Sequence, residues 1–321
     1  MTTIDSAPLT SVDTAWLRMD RPTNLMMICG MMMFAERLDL REVKETIRSR
    51  MLCFHRFLQR VAMNGAGAHW ENDPHFSLDW HVRHIALPDS PGGDSLESVI
   101  SDLISTPLDS TKPMWQWHLI DTADGGSTLF LRIHHCYGDG FALTHVVASM
   151  TDIDPDKPHM PAPDLDQHDT RHTAWERIFG PVTEVVGDVM RSARSVIDLG
   201  YDWMTTPSHA LDYGKRGIDF ATAAAIIASM APDSYTRFKG PLGVMKRAAW
   251  AESLSLFEVK AVAEAFGASV NDVLLACVAG ALRDYLLEQD DSVEGIEVRA
   301  LVPVNLRPPG PVTELGNRFS L

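Results

Sequence analysis

Between Ser127 and Met150 the chain reads as a strand, a short hinge and a helix, and this succession marks an α/β fold. Leu129, Leu131 and Ile133 alternate with Phe130 and Arg132, the period of a strand, and Phe141 to Met150 has helical spacing. The hinge, Ile133-His134-His135-Cys136-Tyr137-Gly138-Asp139-Gly140, sets two adjacent histidines where the strand ends and an aspartate between two glycines. Successive side chains of a strand leave on opposite faces, so His134 and His135 diverge and only one enters a given cavity. Gly138 and Gly140 are expected to turn the backbone through positive φ and to fix Asp139 as a brace for the loop.

The 321 residues, 45% hydrophobic and 22% charged, are ordinary for a globular protein and numerous enough for two subdomains with substantial cores. A net charge of −15 without a Lys/Arg run repels a phosphate backbone, so nucleic acid is not expected as a partner. Cys29, Cys53, Cys136 and Cys277 are widely spaced, which fits reduced thiols in the cytoplasm better than a disulfide framework or a zinc site. The first residues lack a basic-then-apolar signal pattern, and Phe220 to Pro232 is too short and alanine-rich to span a bilayer. Any contact with a membrane or lipid inclusion is expected to be peripheral.

Met26 to Phe34, with five methionines, suits a strand covered on both faces, either an ordinary core strand or a flexible wall against an acyl chain. Asp39 with Glu42 starts a helix running to about His55 on Leu40, Val43, Ile47, Met51 and Phe54. Phe76, Leu78, Trp80 and Val82 alternate with polar residues as a half-buried strand, and Asp94 with Glu97 begins another helix. Trp115, Trp117 and Leu119 share one face of a strand joined through Gly125-Gly126 to the histidine strand as a hairpin.

Prolines 155, 158, 161 and 163 among aspartates mark residues 151–169 as an extended connector and the best domain boundary. The chain thus divides into a first subdomain at 1–150, a Pro/Asp-rich linker with a helical crossover at 151–235, and the beginning of a second subdomain at 236–321. The helical pattern from Trp175 to Met230 serves either as the crossing element or as an apolar surface against lipid. A strand is expected around Arg247 to Ser253 after the Lys239–Gly243 turn, and another from Val298 to Leu306. Ser269 caps a helix whose first turn holds Asn271 and Asp272. So few strands make an isolated sheet marginal, so the second subdomain is expected to be incomplete and to need the first half, a further C-terminal polypeptide or a homo-oligomer.

The spacing His-His-x-x-x-Asp-Gly at 134–140 resembles the active-site motif of the acyl-CoA-dependent acyltransferase superfamily, which includes chloramphenicol acetyltransferase and condensation domains. Four further blocks are similar, in order, to the signatures of the bacterial wax ester synthase/diacylglycerol acyltransferase family: Pro8–Leu17, Pro113-Met114-Trp115, Ser269–Val273 and Leu315–Ser320. Methionine stands at 114 where that family usually shows leucine, a volume-conserving change. The resemblance implies two chloramphenicol-acetyltransferase-like subdomains with mixed sheets around a central substrate tunnel. It also implies acyl-CoA as cosubstrate, no cofactor or metal, and an acceptor that is diacylglycerol or a long-chain alcohol. By the same resemblance His135 is the base, His134 and Asp139 share the catalytic motif, and Asp139 holds its loop through an arginine, with Arg60 and Arg318 as candidates. Gly140, Trp115, Asn317 and Ser320 are the implied substrate-binding residues.

The chemistry of the residues agrees with such a role. An alcohol attacking a thioester needs a base near neutral pH, for which imidazole is best poised, and the oxyanion that develops needs a donor, for which Asn271 is the candidate. A cysteine nucleophile at Cys136 is disfavoured because sequence neighbours rarely reach hydrogen-bond geometry, and a metal site at His134, His135, Asp139 and His145 because adjacent histidines diverge. A carrier-bound acyl donor, another hydroxyl acceptor, or a non-catalytic lipid-binding relative remains the alternative.

Overall fold

In the computed structural model the described residues are 6–65, 67–87, 95–122, 124–152, 233–300, 304–305, 315–317 and 319–320. They fall into two units, one built from Met1–Arg171, Leu242–Trp250 and Asn305–Phe319, the other from His172–Pro241, Ala251–Val304 and Ser320–Leu321.

The first unit is organised by a four-stranded sheet. The strands β2 (Met27–Phe34), β5 (Val82–Ala86), β6 (Trp115–Asp121) and β7 (Ser127–His134) lie in the order β2-β7-β6-β5, antiparallel except for the parallel β5–β6 pair. Every residue of β7 is buried, because one sheet face meets a large core and the other a smaller one. The pleat sorts the side chains as the sequence alternation requires. Trp115, Trp117, Leu119, Leu129, Leu131 and Ile133 enter the large core, and Ile120 and Phe130 enter the small one with Ile100 of α4 (Leu96–Ser105). A second sheet, β1 (Ser6–Pro8), β4 (Gly67–Asn72) and β3 (Gln59–Asn64), is antiparallel throughout and contributes Trp70 to the large core.

The helices of this unit are α1 (Ser11–Met19), α2 (Leu40–Thr46), α3 (Leu78–His81), α4 and α5 (Gly140–Ser149). Asp39 caps α2 through the Arg41 and Glu42 amides, as expected. The helix does not run on to His55, however: after Thr46 it widens into a π turn, Ile47–Met51, and then a 3₁₀ turn, His55–Leu58. The wide turn buries Arg50, whose guanidinium grips the Asp152 carboxylate at 2.9 and 3.1 Å and the Ser149 carbonyl.

Four other expectations are corrected. Met27–Phe34 is an edge strand with Cys29, Gly30 and Met33 exposed, not a strand covered on both faces. The strand expected over Phe76–Val82 begins only at Val82: Leu78–His81 forms one helical turn that brings His81 inward to the Trp115 carbonyl at 2.7 Å, which a period-two pattern placed outside. Helix α4 is capped by Ser95 rather than Asp94, which lies outside the described residues. Residues 247–253 form no strand, and the chain here spends amides on side chains instead, Lys246 N–H donating to Ser105 Oγ at 2.7 Å and Ala248 N–H to Ser101 Oγ at 2.9 Å.

In the second unit, α6 (Leu256–Phe266) and α7 (Val270–Glu288) are joined by a turn in which Gly267 adopts φ 63°, the left-handed conformation that favours glycine at a helix C-terminus. Ser269 and Asp272 form a reciprocal capping box at the start of α7. Helix α6 escaped the sequence pattern, although Ser255 followed by Glu258, with Gly267 at its end, is a start-and-stop signature. Arg237 forks onto Asp291 at 2.6 and 3.0 Å. Of the expected closing strand, residues 298–300 are not strand, 301–303 and 306 lie outside the described residues, and β8 is the pair Val304–Asn305, followed by β9, Phe319–Ser320. The expected linker and crossover from 153 to 232 lies outside the described residues.

Candidate active site

The strand β7 ends at His134 and the chain tightens into a 3₁₀ turn, His135–Tyr137, before α5 begins. Two long-range backbone bonds pin the junction: the His134 amide donates to the Met114 carbonyl at 2.9 Å and the His135 amide to the Met26 carbonyl at 2.8 Å. Tyr137 locks the far side, its buried hydroxyl donating to the Gln59 carbonyl at 2.6 Å and accepting from the Met114 amide at 3.0 Å. The histidines are therefore pinned at the backbone by the residues that lead into β2 and β6.

The two imidazoles diverge as strand parity requires. His134 is 2% exposed, and its Nδ1 accepts from the Cys136 amide at 3.1 Å, so its proton sits on Nε2. The residue also lines a cavity of about 190 Å³ together with Leu17, Asp20, Leu25, Met27, Ser110 and Met114, among others, and its Nε2 lies 3.9 Å from the Asp20 carboxylate. Burial pushes the His134 pKa down to about 4 against the opposing pull of Asp20, so the ring is neutral at ordinary pH.

His135 turns the other way. Its ring stacks on the indole of Trp16, centroids 3.9 Å apart and planes 11° from parallel, and its Nδ1 lies 3.0 Å from Asn317 Oδ1. Asn317, 9% exposed, directs its amino group to two acceptors, the Asp13 carboxylate at 2.7 Å and the His135 carbonyl at 2.8 Å. An amino group is the only end of the amide that fits between two acceptors, so Oδ1 faces the ring and must receive a proton from Nδ1. The lone pair of neutral His135 is thereby placed on Nε2. Asp13, 3% exposed, is set by α1, whose N-cap Thr10 accepts from the Asp13 amide at 3.1 Å.

Asp139 braces the loop as a helix cap. Its Oδ1 accepts from the Ala142 amide at 2.9 Å as the N-cap of α5, and the side chain is buried. Arg60 is not its partner: that guanidinium pairs with Glu71, 2.6 Å from Nη2 and 2.9 Å from Nε, while Arg318 lies outside the described residues. The expected positive φ is also absent. Gly138 is extended at φ 171° and Gly140 is the first residue of α5, so the sharp turn comes from the 3₁₀ residues His135–Tyr137.

The remaining candidates separate. Trp115 is fully buried in the large core, its Nε1 donating to the Phe57 carbonyl at 2.8 Å and its ring stacked on His81. Gly140, the last residue of the motif, is exposed. Asn271 is exposed at the second position of α7, in the second unit. Ser320 belongs to β9, and its side chain is outside the described residues. Cys136 is fully buried and its thiol is pushed well above its ordinary pKa, chiefly by burial, which makes it a packing residue and no thiolate nucleophile. Among the described residues no group of three metal-ligating side chains comes together.

Asp13 and Trp16 were missed as individual residues. They sit three apart on α1, which puts both on one helix face, and an aspartate beside a tryptophan on a face that must be buried was the available signal.

The chain is similar to several known proteins. The model of the wax ester synthase/diacylglycerol acyltransferase catalytic domain matches residues 9–274. The probable diacylglycerol O-acyltransferase tgs1 of Mycobacterium tuberculosis is 27% identical over 98% of this chain and 65% of its own length. A putative diacylglycerol O-acyltransferase of the same species is 30% identical over 84% of this chain and 55% of its own. The wax ester synthase/diacylglycerol acyltransferase of Marinobacter aquaeolei superposes with a TM-score of 0.58 at 25% identity, over 90% of this chain and 63% of that one. The chain thus spans somewhat under two thirds of the length of these relatives.

Proposed function

For a chain that belongs to the wax ester synthase/diacylglycerol acyltransferase family, we propose that His135 is the general base of an O-acyl transfer from acyl-CoA to diacylglycerol or a long-chain alcohol. The observation that carries this is the placement of Asn317, whose amino group meets Asp13 and the His135 carbonyl while its Oδ1 lies 3.0 Å from His135 Nδ1, an arrangement that leaves the lone pair on Nε2. Nε2 takes the hydroxyl proton as the alcohol oxygen attacks the thioester carbonyl, and Trp16 and Asn317 hold the ring during the transfer. Collapse of the tetrahedral intermediate breaks the carbon–sulfur bond, restores the carbonyl and expels the CoA thiolate, which receives the proton from Nε2. The products are triacylglycerol or wax ester and free CoA. Both substrates meet in one ternary complex, a route supported by the inertness of Cys136 as a nucleophile. No cofactor is required.

We place the protein in the cytoplasm with peripheral contact to lipid. Among the described residues no single helix is long and apolar enough to cross a membrane. The test is transfer of labelled palmitoyl-CoA to a panel of diacylglycerols, long-chain alcohols and short alcohols. Lipid acceptors are expected to be esterified, and His135→Ala to lower turnover by roughly 10²–10⁴-fold. Equal rates for parent and His135→Ala in the linear range would overturn the proposal.

A further inference from the structure

We infer that Asp13 is a positioning residue which acts through Asn317 to fix the tautomer of His135, an inference that rests on the proposed role of His135 as base. Free asparagine amides can present either end to an imidazole. If the amide turned over, its amino group would face Nδ1, the ring would keep its proton on Nε2, and the nitrogen proposed to accept the substrate proton would be blocked.

Two acceptors oppose that turn. One is the carbonyl of His135 itself, which every variant at position 13 retains. The other is Asp13, whose carboxylate receives the Asn317 amino group at 2.7 Å in a site where both residues are buried. A turned amide would set its oxygen against both the carbonyl and a buried acceptor, where solvent screening is weak, so the acceptor oxygen that position 13 supplies holds the orientation. The carboxylate is itself held in place. The Asp13 amide is tied to Thr10 at the start of α1, and Arg56, stacked over Trp70 at 4.1 Å, is close enough for the carboxylate to favour its charged form. Trp16, one turn along the same helix, covers the His135 ring. Helix α1 therefore carries both the clamp on the ring plane and the group that sets its protonation pattern, although no side chain of α1 has a reactive part.

The experiment uses the full chain with ¹⁵N-labelled histidine, the His135 signals being assigned by their loss in His135→Gln. In the parent, His135 should show a protonated Nδ1 and a bare Nε2. Asp13→Ala should mix the two tautomers and lower kcat at least about tenfold with little change in KM for palmitoyl-CoA, since the base is present but misprotonated in part of the molecules. Asp13→Asn keeps an acceptor oxygen of the same reach and should retain the parent tautomer and a kcat within about threefold. An unchanged tautomer and rate in Asp13→Ala would overturn the inference. If Asp13→Ala fails to fold, Asp13→Asn decides alone: a large loss of kcat with the parent tautomer intact would assign the role to the charge and overturn it equally. Full activity of His135→Ala would instead sink the underlying proposal, whatever the spectra show.

Discussion

Strand β7 and helix α7 carry comparable runs of apolar residues, yet all eight residues of β7 are buried while Leu286 is the one residue of α7 that is. In the first unit the apolar pattern is used up twice, each face of the sheet being closed by its own core. In the second, Phe257 and Phe266 of α6 are each 82% exposed, and Leu274, Val278 and Tyr285 of α7 also face outward. Periodicity therefore reports which secondary structure a segment adopts, and it does not report whether the segment has found a partner. Stability should be concentrated where polar groups as well as apolar ones have been taken from water.

The largest expected contrast is with pH. His81, His118 and His134 are buried in the first unit and held neutral, each with a pKa near 4 chiefly because burial disfavours the charged ring, whereas the described part of the second unit contains no histidine. Unfolded histidines bind protons below about 6.5 and these folded ones do not until about 4, so stability is lost as pH falls through that window, by up to roughly 3 kcal/mol for each ring. Amide exchange should show β6 and β7 losing protection between pH 6.5 and 4 while α6 and α7 change little. Equal loss in both units would break the contrast.

Next in size is the cost of truncation. Trp115→Ala removes a fully buried indole with a hydrogen bond and should destabilise by about 3–5 kcal/mol, against about 0.5 kcal/mol or less for Leu275→Ala on the open face of α7. Urea titration followed by circular dichroism separates them. A large cost at Leu275 would mean that this face is covered in solution.

The smallest contrast concerns caps. Asp139→Ala and Ser269→Ala each remove an N-cap, worth about 0.5–2 kcal/mol. The buried cap should lie at the upper end of that range and the exposed one at the lower, and thermal melts of the two variants would read the difference.

Much of the first unit was legible because its signals are local. The hairpin of β6 and β7, the cap at Asp39 and the divergence of His134 from His135 each follow from neighbours in the chain. What escaped depends on contacts distant in sequence. The π turn at Ile47–Met51 accompanies burial of Arg50 against residues about a hundred positions away, and Leu78–His81 coils because His81 reaches the Trp115 carbonyl. The site divides in the same way: the motif announced His135, but the bond from Asp13 to Asn317 spans 304 positions and no spacing rule contains it.

The stack of Trp16 on His135 also makes this protein a source of light that depends on its own chemistry. An indole in van der Waals contact with an imidazole is quenched more strongly when the ring becomes a cation, and a cation over the indole face is also the favoured arrangement. The difference in emission between the parent and Trp16→Phe thus isolates one fluorophore whose brightness follows the protonation of His135, in a cuvette and without a label.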